Sequence, residues 1–452
     1  MTFDHVRWQA RLDELARVHR VPGAVLAVLE DGRIHEFATG VLHRGTGVET
    51  TVDSLFQIGS ISKVYTATLV LRLAETGQLD LDAPVVEVLP EFAVADAAAA
   101  KSVTVRQLLN HTSGIDGDFF HDTGRGDDCL ARYVEACADL RQNHPPGATM
   151  SYCNSGFKVL GRIVEAVTGQ VWDTVLRERL LDPLGLAHTA TLPEEVLRFR
   201  AAMGHTGEPG EEPVPARVWS LPRSAGPAGG ICASAADVVR FARAHLDGGV
   251  GPDGARVLGS EQVAAMRRPE VEVPNRWRDA AHWGLGWALY DWEGGPIFGH
   301  SGATIGQYAH LVVAPDANVV VVLLTNGGAA GKLHGALTGE LLVELAGVTM
   351  PQFGAPDVPP VVDFTAHLGV YRSAGLEFRM TDHDGGLRMR YTWLDELADL
   401  LPPQVLDFVP VTDSLFAGRS HEEDDWLPMV FYSLADGSPY LHFAGRAVPK
   451  VG

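Results

Sequence analysis

The stretch Phe56-Gln57-Ile58-Gly59-Ser60-Ile61-Ser62-Lys63-Val64-Tyr65-Thr66-Ala67 decides how this chain is read. A small-residue turn at Gly59-Ser60 opens a run with helical character to about Thr76, and Gly77 supplies the C-terminal stop. Ser60 and Lys63 are three residues apart, so on a helix they share a face. A serine hydroxyl at neutral pH is a weak nucleophile and needs a base within hydrogen-bond reach. A lysine can be that base when burial depresses its pKa, and apolar Ile61, Val64 and the Leu69 run flank Lys63. Ser60 also sits at a helix start, where backbone N–H groups favour developing negative charge. Spacing alone favours a plainer reading, a serine cap followed by a solvated lysine. The rest of the chain has to decide.

Length and composition set the frame. The 452 residues suit two or three domains, or one large α/β domain with an appendage, and 46% hydrophobic content fits a globular protein with a sizeable core. A formal charge of −21 disfavours nucleic acid and anionic membrane as partners. Only five lysines occur, which makes one at this helix start more informative. Cys129, Cys137, Cys153 and Cys232 lie at no zinc-ligand spacing and are too few for a disulfide framework, so buried thiols are expected and no metal or cofactor is. The N-terminus carries charges throughout, with no signal-peptide core, and no run of eighteen apolar residues occurs. A cytoplasmic location is the expectation.

Outward from the Ser60 helix, residues 4–19 read as an amphipathic helix with Val6, Leu12, Leu15 and Ala16 on its apolar face. Two apolar runs around Glu30-Asp31-Gly32-Arg33 read as a hairpin. Thr104 to Ile115 reads as a short helix ending in a polar turn, whose His111 is expected to tie the loop rather than act on substrate. Helices follow through Phe157–Gly169 and Val171–Leu181. Residues 200–230, rich in Gly, Pro and Glu, read as a long loop of the kind that forms lids or substrate walls. A Ser234-capped helix comes next. Between Trp283 and Asn326, three apolar runs read as strands, with Phe298-Gly299-His300-Ser301-Gly302-Ala303 as a connection between the first two. A helix over Leu333–Ala346 closes a domain spanning 1–346, a Pro-rich linker covers 347–362, and 363–452 alternates like a small antiparallel barrel or sandwich. Within it, one strand pair surrounds Asp384-Gly385-Gly386 and another ends the chain.

Three stretches carry reactive groups at turns: Ser60-x-x-Lys63, Tyr152-x-Asn154 and His300-x-Gly302. Alone, Tyr152 would be a packed aromatic and His300 a turn residue. As an ordered set they resemble the penicillin-binding-protein and serine β-lactamase family, in its class C-like branch, where the motifs are Ser-x-x-Lys, Tyr-x-Asn and Lys- or His-x-Gly. The likeness covers about residues 5–346. His300 departs from the lysine of many members, which exchanges a fixed positive charge for a titratable ring. The resemblance implies a serine β-lactamase/transpeptidase-like α/β (α+β) fold: an antiparallel sheet flanked by helices with an all-helical subdomain. It implies Ser60 as nucleophile, Lys63 as its base, Tyr152 as proton shuttle, Asn154 and His300 as further catalytic residues, and Ser60 and Ala303 N–H groups as oxyanion hole beside Gly302.

Within the family the layout resembles the penicillin-binding-protein-type thioesterases that cyclise nonribosomal peptides, which add a linker and a lipocalin-like β domain. That likeness implies transfer of a peptidyl group from a carrier-protein thioester of a nonribosomal peptide synthetase onto Ser60, and release as a head-to-tail macrolactam. Arg446 would bind a substrate carboxylate or carbonyl. The alternative is a hydrolase of esters or D-amino-acid peptides and amides: an esterase, D-aminopeptidase, DD-carboxypeptidase or class C β-lactamase-like enzyme.

Overall fold

An apolar octapeptide, Gly23–Glu30, forms the strand around which the larger part of the molecule is built. It pairs with Arg33–His43 through the Asp31-Gly32 turn, and on its other side with Val319–Thr325, antiparallel, with Ala24 opposite Thr325. The structure is a computed structural model that describes residues 3–207, 210–277, 280–394, 403–419 and 425–452. Among these, nine antiparallel strands form the central sheet in the order Val48–Glu49, Arg33–His43, Gly23–Glu30, Val319–Thr325, Tyr308–Ala314, Gly295–Ala303, Ala288–Trp292, His282–Trp283, Val271–Glu272. Every residue of Val319–Thr325 is buried. A continuous apolar run of this kind marks a strand covered on both faces.

On one face lie the helices His5–Val18 and Ala330–Ala346, packed over Leu26, Val28, Val321 and Leu323. Asp4 caps the first by accepting the Arg7 N–H. Its buried stripe is Trp8, Leu12, Leu15 and Ala16, whereas Val6 is 83% exposed. The expected apolar face is corrected here: at 100° per residue, Val6 falls outside the stripe that Trp8 and Leu12 define. On the other face lie Ser62–Glu75 and Ala235–Leu246, and beyond them a helical region containing Val105–Leu109, Cys129–Ala136 and Asn154–Thr168. The four cysteines are free and buried.

Ser62–Glu75 is buried from Ser62 to Leu71 on all sides, so it is a core helix with no solvated face for a lysine. A 3-10 turn, Gly59–Ile61, leads into it. Residues 200–230 contain a two-residue ladder, His205–Thr206 with Val214–Pro215, and a compact turn over Arg223–Gly229; positions 208–209 lie outside the described residues.

After 351–364, which hold no helix or strand, the C-terminal region forms an eight-stranded barrel in which each strand pairs with the next. The strands are Gly369–Arg372, Leu376–His383, Gly386–Trp393, Gln404–Pro410, Leu415–Arg419, Leu427–Ser433, Pro439–Phe443 and Arg446–Pro449. The seam is drawn together where Val370 N donates to Gly452 O and Val451 N to Val370 O. Met380, Leu387, Met389, Phe408, Phe416 and Leu441 fill the interior. Each of the two expected strand pairs is in fact part of three strands, and the strands between them went unread. The barrel seats on the larger domain through direct bonds: Tyr152 N to Gly445 O at 2.8 Å, Ala447 N to Ser151 Oγ at 3.2 Å, and Tyr440 Oη to Asn143 O at 2.8 Å.

Candidate active site

Four chain segments converge on Ser60. The 3-10 turn holds Ser60 at the mouth of the core helix, and one turn on Lys63 is fully buried. Its Nζ lies 3.0 Å from Ser60 Oγ, 2.7 Å from Asn154 Oδ1 and 2.6 Å from the Ala228 carbonyl. Three oxygens thus surround the amine, and Nζ donates to each of them. Burial, reinforced by Arg446, pushes the Lys63 ammonium well below its ordinary pKa, against the opposing pull of Asp118. The shift runs in the direction that a general base for Ser60 requires.

Asn154 is the first residue of its helix, whose start is capped by Cys153 accepting the Gly156 N–H. The Tyr152 ring has the Lys63 amine and the Arg446 guanidinium as neighbours, with Lys63 Nζ and Arg446 Cζ each 4.9 Å from its centroid. His111, in a left-handed conformation at φ 62°, accepts the Cys153 N–H at 3.0 Å, and its carbonyl accepts the Ser151 N–H. It therefore positions the Tyr152–Asn154 segment from behind. The 200–230 segment contributes as a wall: Ala228 O takes Lys63, Pro227 O takes Thr66 Oγ1, and the Ile231 N–H reaches Ser62 Oγ.

His300 is not at a turn. It lies inside the nine-residue strand Gly295–Ala303, opposite Leu311, and its ring is buried against Trp283 and Tyr152. The glycines of this stretch serve close approach rather than chain reversal. A Cβ on Gly302 would stand 2.0 Å from Ile58 O and 2.9 Å from Ser60 N, and one on Gly59 would stand 2.7 Å from Ala303 N. The Ser60 and Ala303 amides are thereby drawn to one spot. Burial, with Lys63 adding to it, pushes the His300 imidazole down to about 3, so the ring is neutral at physiological pH. Its Nδ1–H donates to the Ser301 carbonyl at 2.6 Å, which leaves Nε2 as an acceptor. The ring that stands in place of a fixed positive charge is thus held in its neutral form.

Arg446 enters from the barrel. Its Nε donates to Asp118 Oδ2 at 2.9 Å and one terminal nitrogen to Asp118 Oδ1 at 2.7 Å, so the carboxylate it holds is this chain's own. Asp118 was missed in the sequence. Its Oδ1 also accepts Asn154 Nδ2 at 3.0 Å, which links the barrel arginine to Lys63 through one carboxylate and one amide. Burial pushes the Asp118 carboxyl up, but Arg446 and Asn154 outweigh it and the group sits below its ordinary pKa. Next to the site, Gln57, Trp219, Leu221, Arg223, Gly230 and Ile305 line a cleft of about 450 Å³.

Residues 8–343 match the β-lactamase family model, and the chain belongs to that family. Fold and family together make it an enzyme of serine-hydrolase type. It is 57% identical over 378 residues to penicillin-binding protein 4 of Amycolatopsis lactamdurans, covering 83% of this chain and 99% of that protein. It is 31% identical over 376 residues to esterase EstB of Burkholderia gladioli, covering 74% and 92% of the two chains. Among solved structures, SurE superposes with a TM-score of 0.79 at 31% identity over 99% of both chains, and SurE with D-Leu with a TM-score of 0.77. The likeness to SurE therefore includes the barrel. Among the described residues no helix is long and apolar enough to cross a membrane.

Proposed function

We propose that this enzyme is an acyltransferase that accepts a peptidyl group from a thioester and releases it as a macrolactam. The observation that carries this reading is the buried amine of Lys63 at 3.0 Å from Ser60 Oγ, with the barrel turn Ala444–Arg446 bonded to Tyr152 and Asp118 beside it. Ser60 Oγ attacks the thioester carbonyl as Lys63 takes its proton. Ser60 and Ala303 N–H groups hold the oxyanion, with Gly302 permitting their approach. The carbon–sulfur bond breaks, Tyr152 passes the proton to the departing thiolate, and the peptidyl ester of Ser60 remains. The peptide's own amine attacks that ester. Its surplus proton passes through Tyr152 and Lys63, Ser60 regains a hydroxyl, and the lactam leaves. Asn154 holds the Lys63 amine in line, and His300 Nε2 is left to accept a hydrogen bond from substrate.

Similarity over the whole chain to SurE, solved with D-Leu bound, supports a donor whose terminal residue has the D configuration. A peptidyl carrier protein is the proposed thioester source. Incubation with the N-acetylcysteamine thioester of a linear peptide ending in a D residue tests the reading. A product lighter than the free acid by one water, absent with Ser60→Ala, supports it. Free acid as sole product favours the second reading, a hydrolase of esters or D-amino-acid amides, which the similarity to EstB supports.

A further inference from the structure

Burial pushes Lys63 well below its ordinary value and His300 to about 3. Arg446 is engaged by Asp118, and in the adjoining cleft Arg223 pairs with Asp127 and Asp173, and Arg125 with Glu194. The Asp118–Arg446 pair is the one at the catalytic groups, and its side chains keep 24% and 27% of their surface open, so substrate meets them. Two guanidinium nitrogens grip both carboxylate oxygens, and the third donates to Ala444 O at 2.8 Å. Such a two-point pairing fixes geometry as well as charge.

Asp118 is also anchored from behind. Its N–H reaches Asp116 Oδ1 at 3.2 Å, and the next carbonyl, Phe119 O, accepts both Lys158 Nζ at 3.0 Å and Tyr133 Oη at 2.8 Å. The neighbouring Asp116 accepts the Ala374 N–H from the barrel. The backbone that carries Asp118 is thus fixed, and its carboxylate is held by Arg446 and Asn154.

We infer that Asp118 is a specificity-determining residue that closes this site to acyl donors with a free carboxylate on the leaving group, so its substrates are neutral thioesters, esters or amides. A substrate carboxylate would find Arg446 already engaged and would lie beside a fixed anion of like charge. A neutral carbonyl suffers no such repulsion, and can take a hydrogen bond from the guanidinium edge. This rests on the proposed role of Ser60 and narrows the substrate class for that site.

The test compares N-acetyl-D-leucyl-D-alanine with its C-terminal primary amide, following cleavage of the same Leu–Ala bond with and without a carboxylate on the leaving group. The wild-type enzyme is expected to cleave that bond in the primary amide at least about tenfold faster in kcat/KM. In Asp118→Asn, which frees the Arg446 charge, the ratio shifts toward the free acid by roughly 10- to 100-fold, the span of a charge-assisted hydrogen bond. In Asp118→Asn combined with Arg446→Gln the shift disappears. Because the ratio is taken within each variant, general damage to the enzyme cancels. Equal turnover of both compounds by wild type, or an unchanged ratio in a folded Asp118→Asn, overturns the inference. Should that variant lack a melting transition, the wild-type ratio decides alone. Failure to find acyl-Ser60 by intact-protein mass spectrometry with an activated neutral ester refutes the proposed function instead.

Discussion

Replacing Gly302 by alanine puts one methyl group between two backbone segments that cannot yield independently. The new Cβ would stand 2.0 Å from Ile58 O and 2.9 Å from Ser60 N. The first distance is about 1.5 Å short of ordinary contact. No flexible side chain lies in between, so the Gly59–Ile61 turn must move off the Gly295–Ala303 strand by a comparable amount. That movement parts the Ser60 and Ala303 amides. Losing one oxyanion donor costs about 100- to 1000-fold in rate, and a misplacement of about 1 Å costs a similar factor. Gly302→Ala should therefore lower kcat for a p-nitrophenyl ester by about 100-fold or more, with a far smaller effect on KM. Circular dichroism should still show the wild-type spectrum, because the strand keeps its ladder. A folded Gly302→Ala enzyme within threefold of wild type would refute the placement of the oxyanion donors at this contact.

Tyr152→Phe keeps the ring between Lys63 and Arg446 but deletes the proton carrier, and kcat should fall by about 100- to 10000-fold; activity within tenfold would remove Tyr152 from the proton path. Because Lys63 is held well below its ordinary value, the pH–rate profile should show no rise through about pH 10.4, where an unperturbed lysine titrates. A basic limb there would mean that the amine is protonated at rest. Burial lowers His245, His300 and His442 each to about 3, so between that value and 6.5 the unfolded chain binds more protons than the folded one. Stability should thus fall as pH drops below 6.5, by up to about 1.4 kcal/mol per pH unit for each ring. A Tm unchanged between about pH 6.5 and 5, above the range of most carboxylates, would contradict it. Trp8→Ala, which empties a fully buried position on the first helix, should cost about 3–5 kcal/mol in chemical denaturation, and a loss under 1 kcal/mol would show that the site collapses freely.

The parts legible in the sequence were those whose information is local. The Asp31-Gly32 hairpin, the Ser62–Glu75 helix and the Ser234 cap each write their signal within a dozen residues. The residues Ser60, Lys63, Tyr152, Asn154 and His300 carry motif spacing, and the structure brings them together with Arg446. His300 was misplaced at a turn because glycine and serine around it imitate turn chemistry, whereas Gly302 is there to let Ser60 N approach. Asp118 has no motif of its own, since its meaning comes from Arg446, 328 residues away. The barrel strands Gln404–Pro410 and Leu415–Arg419 are short runs whose alternation, interrupted by Pro and Gly, is too brief to separate from loop.

The delivery of Arg446 by the barrel has a consequence for biosynthesis. Synthesis runs from the N-terminus, so Ser60 and Asp118 emerge from the ribosome long before the arginine exists. The gap from Ser60 is about 390 residues, some tens of seconds at about 5–20 residues per second. During that interval a folded first domain would present Asp118 bonded to Asn154 but without its arginine. Nascent or proteolytically shortened chains would thus show a substrate one more negative charge than the finished enzyme does, while their serine and lysine stayed the same.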